Sequence, residues 1–407
     1  MADRPATYRE VLGVAEFRAL FAATVLSLVG DYFARVAVAV LIFSGTGSVL
    51  LSAAGFALSY LPWVAGGPIL AALAERYPYR RVMILCDVAR MALVALMSLP
   101  GLPLAVLLLL LLAASLLTPP FEAARSATMA QLLTGDRYTV GTSLKLMTTQ
   151  AAQVAGYALG GVLAAFDPRG ALLIDAATFG VSALLLWRGL QPRPAALADT
   201  GQRSLLKDTG DGVRLVFSHR VMRPIAFAVF GMVAILIVPE GLSAAWAVEL
   251  GGGPVTAGLL LAAMPVGNVI GAILMRATGP ERRSTLIKPF LLAVPLFLAP
   301  ALAGPPTAVV FVLVVCAGVV NTVLVPLNGL FVRVLPPDYR ARAFGVMQGG
   351  MQITHAVAVL AAGALADAFS VPVVVGVWAL AGLLLMAVIV RTWPTSEVVD
   401  EEIGATA

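Results

Sequence analysis

Acidic side chains inside apolar segments are the residues of this chain most able to do chemistry. Three of them precede an arginine by three or four residues, a spacing that places both members on one face of a helix. The pairs are Asp31 with Arg35, Asp87 with Arg90, and Glu122 with Arg125. If these segments cross a membrane, each charge is costly unless a partner neutralises it. Each acid is therefore a functional candidate, and each pair could also be only a structural ion pair.

A fourth acid, Glu240, stands between Pro239 and Gly241 with no basic residue within one helical turn along the sequence. Proline frees backbone carbonyls and glycine opens space, which is how transporter helices break around a site. Without a nearby cation, such a carboxylate favours its protonated form. We expect Asp31 and Glu240 to be the leading proton carriers. The alternatives are a fixed pair of Asp31 with Arg35, and a position for Glu240 in a vestibule that water reaches.

Uncharged polar residues add a second set of candidates. Asn321 and Asn328 lie seven residues apart and share a helix face, where amides bind substrate or hold neighbouring helices. Gly30, beside Asp31, allows a neighbour or a ligand to approach closely. We interpret Asp175 as structural, and we expect His355 to hydrogen-bond a neighbouring helix.

The elements that carry these residues must be membrane spans. A chain of 407 residues with 60% hydrophobic and 12% charged residues, and a mean hydropathy of +0.95, is not a soluble globular protein. Each spanning helix needs about 20 apolar residues, so this length accommodates twelve of them. The predicted spans lie at about 16–43, 48–73, 82–99, 104–131, 138–165 and 169–187, then at about 224–249, 255–277, 286–303, 307–334, 341–368 and 372–392.

These spans form two sets around one long polar segment. The sequence predicts an all-α membrane protein with a first six-helix bundle at 1–187, a cytoplasmic linker at 188–223 and a second six-helix bundle at 224–407. Ser204 is placed to cap a short interfacial helix that runs toward His219.

The distribution of basic residues orients the chain. If the spans begin in the cytoplasm and alternate, nearly every Lys and Arg falls in an inner loop, and the outer loops hold only Arg169. Both termini are therefore expected in the cytoplasm. The net charge of +5 follows from this bias, so no nucleic-acid partner is expected.

The two halves also repeat one another. Leu133 to Asp136 recurs as Leu335 to Asp338, an offset of 202 residues, and the same offset carries Gly161 onto Gly363. A parallel repeat of six and six helices places a substrate site between the halves near the membrane midplane.

Several chemistries have no motif here. The sequence contains no Gly-x-x-x-x-Gly-Lys-Ser/Thr phosphate loop, no His-Glu-x-x-His pattern and no Gly-x-Ser-x-Gly elbow. We therefore expect neither an enzyme nor a bound cofactor or metal, and an ion gradient is the remaining energy source. The expected partners are protons, a small-molecule substrate and the lipid bilayer, with the protein as a monomer.

The stretch AALAERYPYRR, from Ala71 to Arg81, resembles the loop between the second and third helices of the major facilitator superfamily. The pattern of that family is Gly-x-Leu-Ala-Asp-Arg-x-Gly-Arg-Arg/Lys-Arg/Lys, and Glu75 stands at its Asp. The resemblance implies a cytoplasmic gate, although the bases can also simply anchor the loop. The gate residues it implies, with the nearby charged pairs, are Glu75, Arg76, Arg80, Arg81, Asp87, Arg90, Glu122 and Arg125.

The segments FEAARSA, GYALGGVL, LIDAATFGVSALLL and RVLPPDYRARAFGVMQ are similar to a bacterial branch of that superfamily that includes macrolide-efflux and enterobactin-export proteins. In GYALGGVL the glycines Gly156, Gly160 and Gly161 resemble the helix-5 pattern of antiporters, without its proline; glycines at that spacing can also simply let helices pack closely. The resemblance implies a proton-coupled exporter of amphipathic or hydrophobic molecules in the bacterial cytoplasmic membrane. An importer or lipid-like transporter on the same fold is the alternative, and a membrane scaffold or sensor without transport is the third.

Overall fold

The computed structural model describes residues 6–65, 76–194, 205–336 and 339–406, and its regular structure in those ranges is helical. The helices of the first half are α1 (Tyr8–Gly13), α2 (Ala15–Thr46), α3 (Val49–Ala65), α4 (Tyr79–Met97), α5 (Leu104–Leu116), α6 (Thr118–Leu132), α7 (Asp136–Phe166) and α8 (Pro168–Gly189).

The second half continues with the helix predicted for the linker. Its helices are α9 (Leu205–Ser218), α10 (Met222–Gly241), α11 (Ser243–Glu249), α12 (Pro254–Ala277), α13 (Pro280–Thr285), α14 (Ile287–Leu298), α15 (Thr307–Asn321), α16 (Leu324–Arg333), α17 (Arg340–Ala366), α18 (Val371–Arg391) and α19 (Ser396–Thr406). The predicted cap of α9, Ser204, lies outside the described residues.

Eight helical stretches of the described chain are long and apolar enough to cross a membrane, namely α2, α5 with α6, α8, α10, α12, α15 with α16, α17 and α18. Two shorter apolar stretches, Val49–Trp63 and Ile287–Ala303, coincide with two further predicted spans. The other two predicted spans fall in α4 and α7, which are less apolar because each carries several charged or polar side chains. The α-helical membrane class is confirmed, while the count of twelve spans stays a prediction.

Three of the long apolar stretches are broken, and proline explains where. Proline lacks an N–H and clashes with the carbonyl four residues earlier. The carbonyl four residues before Pro120 belongs to Leu116, the last residue of α5. The carbonyl four residues before Pro326 belongs to Thr322, which lies between α15 and α16. The break after α10 comes at Leu242, directly beyond Pro239. The last of these three breaks is the one that the sequence predicts from Pro239 and Gly241.

The described contacts divide the chain into two compact units. Unit 1 consists of Met1–Gly47, Leu58–Thr200 and Gly253–Ala262, and unit 2 consists of Ser48–Ala57, Gly201–Gly252 and Ala263–Ala407. The first residues of α3 therefore group with unit 2, and the first residues of α12 group with unit 1.

Close helix contacts at glycines occur in both units, and one in each involves a glycine of the sequence repeat. In unit 1, a Cβ on Gly161 of α7 would lie 2.9 Å from the Cα of Gly258 and 2.7 Å from the carbonyl oxygen of Pro254. In unit 2, a Cβ on Gly363 of α17 would lie 3.1 Å from the Cα of Leu50. Gly161 and Gly363, which the sequence repeat relates, therefore have the same role: each lets two helix backbones approach closely.

Candidate functional site

A polar cluster, most of it buried, joins three helices of unit 1. We call Arg90, Asp31, Asp87 and Asp175 the Arg90 cluster; they come from α4, α2, α4 and α8. Arg90 and Asp87 lie one turn apart on α4, and α4 and α2 both pack against α8. The long apolar surfaces of these helices therefore bring charges together that are far apart in the sequence.

Arg90 is the centre of the cluster. Its side chain is 5% exposed, and its Nη1 lies 4.0 Å from Asp31 Oδ2. Its Nη2 donates a hydrogen bond to the Thr118 hydroxyl at the start of α6. The guanidinium carbon also lies 5.7 Å and 5.3 Å from the ring centres of Phe121 and Phe179, within range of cation–π attraction. Arg90 is therefore fixed by four contacts on three other helices.

Two of the three carboxylates are buried with unsatisfied oxygens. Asp87 is inaccessible to solvent and accepts a hydrogen bond of 2.6 Å from Ser182, while its Oδ1 has no hydrogen-bond partner among the described residues. Asp175 is 1% exposed, its Oδ1 lies 3.3 Å from the Thr178 hydroxyl, and its Oδ2 likewise has no partner in that part of the chain. Asp31 differs, because its side chain is 39% exposed.

Gly30 brings α2 and α8 together at this point. A Cβ there would lie 2.3 Å from Asp175 Oδ1 and 2.2 Å from the Thr178 hydroxyl. The close approach that the sequence predicted beside Asp31 is therefore made by a neighbouring helix.

The charges of the cluster do not balance. Three carboxylates interact with Arg90, and Arg35 adds a weaker favourable interaction with Asp31. Among these five residues the carboxylates outnumber the cations by one; Asp31 also interacts unfavourably with Glu122, which pairs with Arg125 and Lys145. Excess charge is costly at membrane depth. Because buried carboxylates that repel one another cannot all ionise, the arrangement suits a group of acids that shares at least one proton.

For two of the pairs inferred from spacing, the structure adds a partner on a neighbouring helix. Asp31 interacts more strongly with Arg90 than with Arg35, whose guanidinium lies 5.7 Å from the Tyr32 ring centre. Asp87 accepts its hydrogen bond from Ser182 rather than from Arg90. Spacing along one helix predicts a shared face, but a neighbouring helix supplies the nearer partner.

The predicted gate residues are only partly brought together. Arg125 donates to Glu122, as spacing predicted, and Lys145 of α7 lies 3.8 Å from the same carboxylate oxygen. Arg80 donates to the carbonyl oxygen of Trp187, near the end of α8.

The remaining gate positions are less defined. Arg76 and Arg81 are exposed. Glu75 lies outside the described residues, so the gate stays a prediction.

The glycines of GYALGGVL serve helix packing in unit 1. A Cβ on Gly156 would lie 2.5 Å from the Tyr32 Cβ, and one on Gly160 would lie 3.0 Å from the Phe33 Cα. Gly161 makes the contact with Gly258 described above. The sequence allowed two roles for these glycines, an antiporter pattern and close helix packing, and the structure shows the packing.

In unit 2 the polar residues predicted for the site lie in different places. Glu240 is half-buried in the last turn of α10. Asn321 ends α15 and donates to Asn268 of α12 across 3.1 Å, whereas Asn328 lies on α16, beyond the helix break. The two asparagines therefore do not act as one pair. His355 lies 3.3 Å from Gln352 of its own helix.

Asn328 lines a cavity of about 250 Å³ in unit 2. The cavity lies between α10, α16 and α17, and its walls are mostly apolar. Its lining residues are Ile225, Val229, Leu324, Asn328, Phe331, Phe344, Met347, Gln348 and Met351.

Several of these residues were not predicted from the sequence. Asn268 is an amide inside an apolar helix, and that signal was available. Ser182, Thr178 and Thr118 gave none, because small hydroxyl residues are common in spans and usually bond their own backbone. Gln348 lies about two turns from the polar start of α17, where an amide does not stand out.

Comparison with known proteins agrees with this architecture. The family model of the Major Facilitator Superfamily matches residues 20–333. The MFS-type transporter YfiS of Bacillus subtilis (strain 168) is 25% identical over 365 residues, which cover 86% of this chain and 86% of YfiS.

Solved structures show the same fold at low sequence identity. The nucleoside transporter NupG superposes with a TM-score of 0.72 at 13% identity, over 92% of this chain and 100% of NupG. A bacterial homologue of the iron transporter ferroportin, in an inward-facing state, gives 0.70 at 16% identity, over 95% of this chain and 99% of that protein. Together with the family match, the fold shows that this chain belongs to the major facilitator superfamily of multi-pass membrane transporters.

Proposed function

We propose that this protein is a proton-coupled exporter of amphipathic or hydrophobic small molecules. The Arg90 cluster carries the proposal. Three carboxylates around one buried guanidinium form a group that can take up and release a proton at membrane depth.

The arrangement of the cluster suits proton exchange with solvent. Asp31 is 39% exposed, whereas Arg90, Asp87 and Asp175 are at most 5% exposed. A proton that reaches Asp31 changes the charge balance around Arg90 without exposing the two buried carboxylates. Asp31 is thus the exchange group of the proposal, and the buried members set how readily it ionises.

The apolar cavity of unit 2 supports the choice of cargo, because most of its lining is aliphatic, aromatic or thioether. The direction of transport rests on the sequence resemblance to macrolide-efflux and enterobactin-export proteins. The location in a bacterial cytoplasmic membrane, the cytoplasmic termini and the monomeric state belong to the same proposal.

Transport in membrane vesicles tests it. In inside-out vesicles that carry the protein, an imposed gradient with a more acidic lumen should drive accumulation of members of a panel of uncharged fluorescent amphiphiles. Accumulation only in right-side-out vesicles would instead favour an importer. Accumulation in neither orientation, by a protein that is folded and inserted, would contradict transport of this class of cargo.

A further inference from the structure

We infer that the unit 2 cavity binds the apolar part of an uncharged amphipathic molecule, and that the Asn328 and Gln348 amides hydrogen-bond its polar group. The inference deepens the proposed function and rests on it, because it names the chemical class of the cargo and the side chains that recognise it.

The lining of the cavity has a polarity gradient. Phe331 and Met347 are buried and form an apolar floor, whereas Asn328 and Gln348 are exposed. Each amide offers both donors and an acceptor, so it can bond a hydroxyl, a carbonyl or an amine. A ligand that fits this gradient has one polar end and one apolar end.

Net charge on the ligand would be unfavourable. None of the nine lining residues, all within the described chain, is ionisable. A charged group that enters such a site loses its water without gaining a counter-charge. The cavity therefore favours uncharged molecules over their charged analogues.

The equivalent cavity in unit 1 differs in its lining and its volume. There a cavity of about 20 Å³ is lined by residues that include Arg125, Lys145 and Ser126. The repeat offset of 202 residues carries Lys145 onto Met347 and Ser126 onto Asn328. A thioether thus replaces the lysine and an amide replaces the serine, and the space is larger.

Size and side-chain chemistry narrow the ligand further. A cavity of about 250 Å³ is slightly smaller than the roughly 300–1,000 Å³ of sites that enclose a drug-sized molecule. Met347 and Met351 are flexible and adapt to different shapes. The cavity therefore suits a fused-ring or aryl portion of several related molecules.

Two dyes with the same rings and different charge test this. The uncharged dye N-phenylnaphthylamine has one N–H donor, and anilinonaphthalene sulfonate adds an anionic group to the same skeleton. The full-length protein in lipid nanodiscs is titrated with each dye, and the fluorescence of empty nanodiscs is subtracted. We expect saturable binding of the uncharged dye and at least about tenfold weaker binding of the sulfonate.

Substitutions then locate the site. Met351→Trp fills the cavity and should weaken binding of the uncharged dye by about tenfold or more. Ile353→Trp adds the same side chain on the same helix, at a position that is 48% exposed and does not line the cavity, and it should leave binding unchanged. Gln348→Lys adds a cation at the mouth and should raise affinity for the sulfonate.

Failure of the inference and failure of the proposed function are distinguishable. Equal effects of Met351→Trp and Ile353→Trp, or equal binding of the two dyes by the unmodified protein, would overturn the cavity assignment even if vesicles show proton-driven export. Selective dye binding at this cavity without any gradient-driven transport would overturn the proposed exporter and keep the binding site.

Discussion

The guanidinium of Arg90 on α4 lies 4.0 Å from the carboxylate of Asp31 on α2, with 5% of the arginine side chain and 39% of the aspartate side chain exposed. The two residues are 59 positions apart, so the pair exists only through helix packing. Asp31 is the more exposed member of the cluster, and Arg90 also interacts electrostatically with Asp87 and Asp175.

Asp31→Asn should abolish gradient-driven transport and leave downhill exchange of cargo measurable, because the amide cannot take up a proton. The measurement is dye accumulation in vesicles with and without an imposed proton gradient. Glu397→Gln, which changes an exposed acid of α19 to its amide, is the matched control and should transport normally. Full gradient-driven accumulation by Asp31→Asn would exclude Asp31 as a carrier.

Glu240→Gln should also remove gradient-driven transport while cargo binding persists. Glu240 lies in the last turn of α10, directly before the helix break, where a carboxylate can respond to local movement. The same vesicle assay, combined with dye titration in nanodiscs, separates transport from binding. If this variant accumulates cargo like the unmodified protein, proton exchange is assigned to Asp31 alone.

Arg90→Gln should destabilise the protein by about 3 kcal/mol or more, because it leaves buried carboxylates without their cation. Adding Asp87→Asn should restore part of that loss, since it removes one of the repelling acids. The free energy of unfolding is measured by titration with sodium dodecyl sulfate. Simple addition of the two single effects would show that Arg90 and Asp87 do not interact.

Gly30→Ala should lower the free energy of unfolding, because its new Cβ would lie 2.3 Å from Asp175 Oδ1 and force α2 away from α8. Gly45→Ala is the control on the same helix. A Cβ there meets nothing within 4 Å, and alanine is favoured over glycine in a helix by about 0.5–1 kcal/mol. Equal stability of the two variants would mean that the close contact at Gly30 is not required.

Much of the fold is predictable because its causes are local. Apolar length predicts the spans, proline predicts the breaks near Leu116 and Leu242, and the repeat predicts that Gly161 and Gly363 correspond. Where α4 and α7 carry polar side chains, composition alone does not identify a span. Whether these two segments cross the membrane depends on how their polar side chains pack against neighbouring helices.

The candidate site was harder to predict, since its contacts join distant parts of the chain. Spacing identified Asp31 and Arg90 as important but did not indicate that they pair with each other across two helices. It also placed Asp175 outside the functional residues, whereas the structure brings it beside Gly30. The unit 2 cavity depends on the shape of three helices, and only Asn328 among its lining residues stood out in the sequence.

The contact of Gly161 with Gly258 has a mechanical consequence. A Cβ on Gly258 would lie 2.5 Å from the carbonyl oxygen of Tyr157, so α7 and the first turns of α12 meet there through backbone atoms. Side chains that interdigitate hold two helices in one register. Where two helices meet without such side chains, one helix can slide along the other. A bulkier residue at either glycine would therefore hinder sliding of α7 along α12.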